Sequence, residues 1–242
     1  MKILVTGSEG FIGKNLILEL EKINLYEILE FKKTDSNEKL KELIFTTDFI
    51  IHLAGVNRTN DNENFDLVNS DLTKFICDVI TQKIKLTKKH ITLLFASSTQ
   101  VAFKNEYGLS KLKAENHIKD FSRKTNNPSF IMRLPNVFGK WCKPNYNSVV
   151  ATFCSNIANE KEIIINDPEH KLTLVYIDDL IKQIINLINE KITSNFSYIE
   201  LKTKFTITVG ELAKKIKSFK ESRTNLMIQE VGNGFDRCLY AT

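Results

Sequence analysis

With 242 residues, 42% of them hydrophobic, the chain carries enough apolar material for one main α/β domain with a full core. Its formal charge of +5 comes from 34 basic and 29 acidic residues mixed along the sequence, a solvated surface and not the stripe of a nucleic-acid footprint. The longest apolar runs, Phe49 to Leu53 and Ile163 to Ile165, fall far short of the roughly 18 residues of a membrane-spanning helix, and the short apolar start Ile3-Leu4-Val5 is no secretory leader, so a cytoplasmic protein is expected.

The first predicted strand, Lys2 to Thr6, runs into Gly7-Ser8-Glu9-Gly10-Phe11-Ile12-Gly13 and then a helix from Phe11 to Lys22. Glycines at this spacing between a first strand and a first helix form a turn that brings backbone N–H groups and the positive helix end to a dinucleotide pyrophosphate. Gly7, Gly10, Phe11, Ile12 and Gly13 are therefore candidate cofactor residues. A second strand spans Glu27 to Phe31. Its end selects the dinucleotide, because an acid there binds ribose hydroxyls whereas a base accepts a 2′-phosphate. Lys32 and Lys33 follow, which favours NADPH, while a shift of one residue in the strand end would bring Glu30 into that place.

A third strand, Asp48 to Leu53, ends in small residues that leave room for the dinucleotide, with Leu53, Ala54 and Gly55 as lining residues and His52 as a packing histidine. A helix over about Asn64 to Gln82 carries Asn69, read equally as an anchor for a proton-relay water near Lys111 or as an exposed helix asparagine. Lys83, Lys85, Lys88 and Lys89 read as an exposed helix end, where cations suit the negative terminus. A strand from Ile91 to Ser97 leads to Ser98. A helix from Tyr107 to about Arg123 then sets Tyr107 and Lys111 one turn apart on one face. An adjacent ammonium favours the phenolate of a group whose usual pKa lies near 10, and Ser98 would hold a substrate carbonyl beside Tyr107. These three form the candidate catalytic centre, with Asn69 as a fourth member.

After a strand from Ser129 to Leu134 the rhythm loosens. A loop from Trp141 to Asn147, in which the tryptophan is expected to pack against the sheet, precedes a helix Val149 to Ala158. Short strands near Ile163 and Leu172, a helix Asp178 to Asn189 and a threonine-capped helix start within Thr206 to Leu212 complete the pattern. The strand and helix alternation predicts a Rossmann-like doubly wound parallel sheet with a small C-terminal substrate-binding lobe. The dinucleotide-binding core covers 1–140 and the lobe mainly 141–242, with segments around 172–190 returning to the core. Cys77, Cys142, Cys154 and Cys238 lack metal-ligand spacing, so reduced thiols and no metal are expected.

Taken together, Gly7-x-x-Gly10-x-x-Gly13, His52-Leu53-Ala54-Gly55, Asn69, Ser97-Ser98, Tyr107-x-x-x-Lys111, Arg133-Leu134-Pro135-Asn136-Val137-Phe138-Gly139 and Val175-Tyr176-Ile177-Asp178-Asp179 resemble the extended short-chain dehydrogenase/reductase family over nearly the whole chain. More narrowly, Ala54 to Arg58, Pro135 to Ser148 and Gly232 to Phe235 are similar to the reductase domain of capsular-polysaccharide enzymes. The resemblance implies NADPH-dependent reduction of the 4-ketone of a UDP-4-keto-2-acetamido-2,6-dideoxy-L-hexose, giving the L-rhamno, L-talo or a related sugar for surface glycans. It implies Pro135 at the cofactor, and Asn57, Arg58, Asn136, Lys140, Lys143 and Asn147 at the UDP-sugar. It also implies a homodimer through two long sheet-flanking helices, and coupling to an upstream dehydratase/epimerase and a downstream 2-epimerase.

Two departures stand out. Relatives typically continue into a zinc-binding cupin that epimerises the sugar, whereas this sequence ends at Thr242, so epimerisation is not expected of it. Ala102-Phe103 replaces the Tyr-Gly of many members. The competing readings are an epimerase or dehydratase that keeps its NAD bound, and a non-catalytic NADP-binding partner subunit.

Overall fold

A computed structural model describes residues 1–57, 65–190, 194–227 and 230–242. In the first of two compact units, residues 1–134 with 181–201, six parallel strands lie in the order β2-β1-β3-β4-β5-β8. They are β1 (Lys2–Thr6), β2 (Glu27–Phe31), β3 (Phe49–His52), β4 (Thr92–Ser98), β5 (Ser129–Leu134) and β8 (Phe196–Tyr198). The helices are α1 (Phe11–Ile23), α2 (Asn37–Thr46), α3 (Leu72–Thr87), α4 (Glu106–Thr125) and the part of α6 (Ile177–Asn189) from Ile181 onward.

The central strands read as continuous apolar runs because both sheet faces are covered. Leu4, Ile50, Leu93, Phe95 and Ile131 pack with Leu40 and Ile44 of α2, Ile76 and Ile80 of α3, and Ala114 and Ile118 of α4. Strand residues of the other parity, Ile3, Val5, Ile51, Leu94 and Met132, are equally buried. The order of strands reverses at β1, so the carboxyl ends of β1 and β3 flank the crevice where doubly wound sheets bind their ligands.

The sequence reading passed over α2. Its start is a serine cap, with Ser36 Oγ accepting the Lys39 N–H at 3.3 Å. Its end has no glycine, and Lys83 supplies the missing partner: this lysine is 6% exposed and donates to the carbonyls of Ile44 at 3.2 Å and Thr47 at 2.7 Å. Lys83 thus departs from the expected solvent-exposed helix end. Lys85, Lys88 and Lys89 do lie exposed there, and Lys88 terminates α3 in the left-handed conformation, φ 59°. Ahead of α3, Asp66–Asp71 form a π-helical turn.

In the second unit, residues 135–180 with 202–242, β6 (Asn136–Phe138) runs parallel to β7 (Lys171–Tyr176), which pairs antiparallel with β9 (Phe205–Thr208). Helices α5 (Val149–Ala158), α7 (Val209–Asn225) and α8 (Gly234–Tyr240) complete it. Phe235 packs on Phe138 and Phe205, ring centroids 5.8 and 5.0 Å away. The expected strand near Ile163 does not form. Both edges of β7 are taken by β6 and β9, and Ile164 stands 83% exposed. The predicted threonine cap is Thr208, in a complete capping box with Glu211.

Candidate active site

At the carboxyl end of β1 the chain turns so tightly that side chains are excluded. Gly7 has φ +69°, and a Cβ there would meet the Ala54 nitrogen at 2.8 Å; one on Gly13 would meet the Gly7 carbonyl at 2.3 Å. Gly7 N–H donates to Phe31 and Gly10 N–H to Gly7, at 3.1 and 3.0 Å. Gly10 is the N-cap of helix α1, which has no side-chain cap and no acid in its first turn. Phe11 and Ile12 thus open a helix whose first turn carries no carboxylate, the arrangement that receives a phosphate. The Ser8 hydroxyl, 1% exposed, has no hydrogen bond among the described residues. A dinucleotide fits this cradle on both counts.

Strand β2 ends at Phe31, so Lys32 and Lys33 directly follow it and Glu30 stays within the ladder opposite Val5. Lys32 Nζ lies 3.7 Å from Glu9 of the glycine turn. Asp35 folds back, accepting the Lys32 N–H at 2.8 Å and the Lys39 ammonium at 2.6 Å, and these two bonds hold its carboxyl below the usual range.

Beyond β3, Leu53 N–H donates to the Thr6 carbonyl at 3.2 Å. Gly55 sits where a Cβ would lie 2.8 Å from Asn69 Oδ1 and 2.9 Å from Lys111 Nζ. Asn69 is fully buried in the π-helical turn, in place of the exposed alternative. Its Oδ1 accepts the Val56 N–H, and its Nδ2 donates to the Val56 carbonyl and to Ser110 Oγ, all at 2.9 to 3.0 Å. Asn57 is half-buried in the same loop, and Arg58 lies outside the described residues.

Ser98 is the last residue of β4 and Tyr107 stands in the first turn of α4. Gly108 allows their approach: a Cβ there would meet the Gln100 carbonyl at 2.1 Å. Asn105 caps the helix, accepting the Gly108 N–H at 2.7 Å. Burial pushes the Tyr107 phenol up from its ordinary value, and the neighbouring Ser98 hydroxyl opposes this only in part. Lys111, 4% exposed, donates to the Ala96 carbonyl at 3.0 Å and lies 4.7 Å over the Phe95 ring. Burial, partly opposed by Glu115, brings its pKa down to about 8.

Sequence reasoning missed Glu115, which is one turn beyond Lys111 and 1% exposed. It accepts from Ser97 at 2.5 Å, from Arg133 at 3.0 and 2.7 Å and from Tyr198 at 3.1 Å. Pro135, Asn136, Lys140, Lys143 and Asn147 belong to the second unit. Lys140 lies 5.0 Å over the Trp141 ring and Lys143 5.6 Å over that of Tyr146. Trp141 does not pack away as expected: it is 55% exposed, on a residue with φ 69°. Among the described residues, no group of three or more His, Cys, Asp or Glu is placed to hold a metal, and no helix is long and apolar enough to cross a membrane.

The sequence profile of the NAD dependent epimerase/dehydratase family matches residues 3–197. Over all 242 residues the chain is 43% identical to a UDP-2-acetamido-2,6-beta-L-arabino-hexul-4-ose reductase of Pseudomonas aeruginosa, spanning 64% of that protein. Among solved structures, the capsular polysaccharide assembling protein CapF of Staphylococcus aureus superposes on the whole chain with a TM-score of 0.86 at 37% identity, the chain again covering 64% of its length. A Bacillus cereus UDP-glucuronic acid 4-epimerase in complex with NAD shares the fold, TM-score 0.81 at 17% identity, over 100% of this chain and 97% of its own.

Proposed function

Since the chain belongs to the NAD dependent epimerase/dehydratase family, we propose that it is the reductase part of a nucleotide-sugar enzyme. It would reduce the 4-ketone of a UDP-2-acetamido-2,6-dideoxy-L-hexos-4-ulose to the alcohol, with NADPH as the preferred dinucleotide. The observation that carries this reading is Ser98 beside Tyr107 at the end of β4, with Lys111 and Asn69 set against Gly55 after β3, in a chain 43% identical to a hexul-4-ose reductase. The preference for NADPH rests on Lys32 and Lys33 directly after Phe31, cations suited to a 2′-phosphate.

When bound, the reduced dinucleotide supplies the hydride that adds to carbon 4. Ser98 and Tyr107 both donate to the sugar's ketone oxygen as negative charge develops there. Tyr107 then gives up its proton, and burial, which raises its pKa, keeps that proton in place at neutral pH until the oxygen becomes basic. Lys111 holds the nicotinamide ribose, and its cation stabilises the phenolate left behind. Asn57, Asn136 and Asn147 are assigned to the sugar, and Lys140 and Lys143 to the UDP diphosphate. A homodimer through α3 and α4, and a dehydratase that supplies the ketone, belong to the same reading.

The test is isotopic. With reduced dinucleotide deuterated at its transferable position, a reductase leaves one deuterium on carbon 4 of the product sugar and releases oxidised dinucleotide, as read by NMR. An epimerase that takes a hydride from the sugar and gives it back leaves carbon 4 unlabelled by the added dinucleotide, and that result would remove the reading.

A further inference from the structure

Four hydrogen bonds run in one line through the buried centre of the first unit. The Ala54 N–H donates to Thr6 Oγ1 at 3.2 Å; Thr6 Oγ1 and His52 Nδ1 lie 2.7 Å apart; His52 Nε2 and Thr73 Oγ1 lie 2.9 Å apart; Thr73 Oγ1 donates to the Asn69 carbonyl at 2.7 Å. Thr6, His52, Thr73 and Asn69 are each fully buried, so water does not supply alternatives.

The two ends set every proton between them. A carbonyl only accepts, so the single hydroxyl proton of Thr73 points at Asn69, and Thr73 must receive the Nε2–H of His52. A neutral ring then carries a lone pair on Nδ1, which receives the Thr6 hydroxyl proton, and the Thr6 oxygen remains open to the Ala54 N–H. The opposite tautomer leaves the Thr6 proton without an acceptor and the Asn69 carbonyl without the Thr73 donor. An imidazolium also fails, since both ring nitrogens then donate and the Thr6 proton again has no acceptor. Burial and, secondarily, the nearby Lys111 hold the ring neutral down to about pH 3. The Phe95 ring, 5.2 Å from His52, is also the ring under the Lys111 ammonium.

The two ends of the line matter to the site. Thr6 immediately precedes Gly7, where the chain closes on Ala54 so tightly that a Cβ would lie 2.8 Å from its nitrogen. Asn69 clamps Val56 with its side chain and stands beside Gly55 and Lys111. The line therefore spans from the dinucleotide turn to the proton-handling end.

We propose that His52 is a positioning residue: held as the Nε2–H tautomer, it ties the glycine turn to the Asn69 and Lys111 corner through one directed hydrogen-bond chain. The reaction it serves is the one proposed above, but the direction of the chain and its hold on dinucleotide affinity do not depend on that reaction.

The test uses the full chain. Ring 15N chemical shifts of His52 should report a neutral Nε2–H imidazole, unchanged across about pH 6 to 8. Thr73→Val, which removes the hydroxyl at nearly constant shape, should weaken NADPH binding and lower turnover each about tenfold, leaving KM for the sugar little changed, and Thr73→Ser should restore both. An Nδ1–H tautomer, an imidazolium, or a folded Thr73→Val with undiminished affinity for NADPH overturns the proposal. Should Thr73→Val fail to fold, the tautomer in the unaltered chain decides. If the tautomer and the affinity changes appear but no ketosugar is reduced, the reductase reading fails and the positioning role stands.

Discussion

Lys111 and Gly108 show how much of the site is decided by single residues. Burial lowers the Lys111 pKa to about 8, so in the unliganded chain its cation is present below that pH and lost above it. If the cation supports the reaction, kcat/KM falls as pH rises through about 8; a profile flat to well above that value would detach Lys111 from the chemistry. The same depression bears on stability. The folded chain binds this proton less tightly than the unfolded chain, so stability rises with pH between the folded pKa and the ordinary lysine value. Lys111→Met should therefore be inactive, and its urea midpoint should fall relative to that of the parent as pH rises from about 8 towards the ordinary lysine value. Gly108→Ala drives a Cβ to 2.1 Å from the Gln100 carbonyl; as the helix start shifts from Ser98, turnover should fall by about a hundredfold or more, checked against an unchanged helical circular dichroism spectrum. The spacing of Tyr107 and Lys111 was legible because helical geometry alone puts them on one face. The partner of Lys111 was not, since Ala96 offers only a backbone carbonyl, which no side-chain pattern announces.

At the level of elements, the strands and helices with strong signals were legible: β1, β2 and β5 match their expected bounds, and α5 does too. Helix α2 was missed because its C-terminal partner is Lys83, thirty-six residues beyond Thr47 and indistinguishable in sequence from its exposed neighbours. Lys83→Met should cost roughly 1–3 kcal/mol of stability by leaving buried carbonyls unpaired, seen as a lower urea midpoint at unchanged turnover. Strand β8 was missed for a similar reason: three residues carry little periodicity, and what holds them is distant. Tyr198 donates to Glu115 and stacks under Arg133 at 4.7 Å, while Ile199 N–H reaches the Ile131 carbonyl at 2.8 Å. The Ile163 run misled in the opposite direction, because its apolar residues lack a strand edge to pair with. In the second unit, Thr208→Ala should lower stability by about 1 kcal/mol through loss of the capping box, measured by thermal melting.

For the molecule as a whole, the first unit is assembled from two stretches of chain, 1–134 and 181–201. The glycine turn, Lys32, Asn69, Ser98, Tyr107 and Lys111 all lie in the first stretch, but β8 and its contact to Glu115 arrive only with the second. A fragment ending at Leu134 should therefore lose cooperative urea unfolding, and a sharp transition from that fragment would show that the β5 edge needs no cover. The alternating rhythm made the doubly wound sheet legible, as every crossover in the core returns to a parallel strand. The second unit was harder to read, since its three strands are short and mix parallel with antiparallel pairing. The most direct measurement of the central claim is dinucleotide oxidation by the purified chain, followed by its near-ultraviolet absorbance, with the UDP-4-keto-2-acetamido-2,6-dideoxy-L-hexose as substrate. NADPH should be consumed in proportion to sugar reduced and faster than NADH, and Tyr107→Phe should slow it by about a hundredfold or more. Sugar converted without net oxidation of either dinucleotide, or consumption indifferent to Tyr107→Phe, would contradict it.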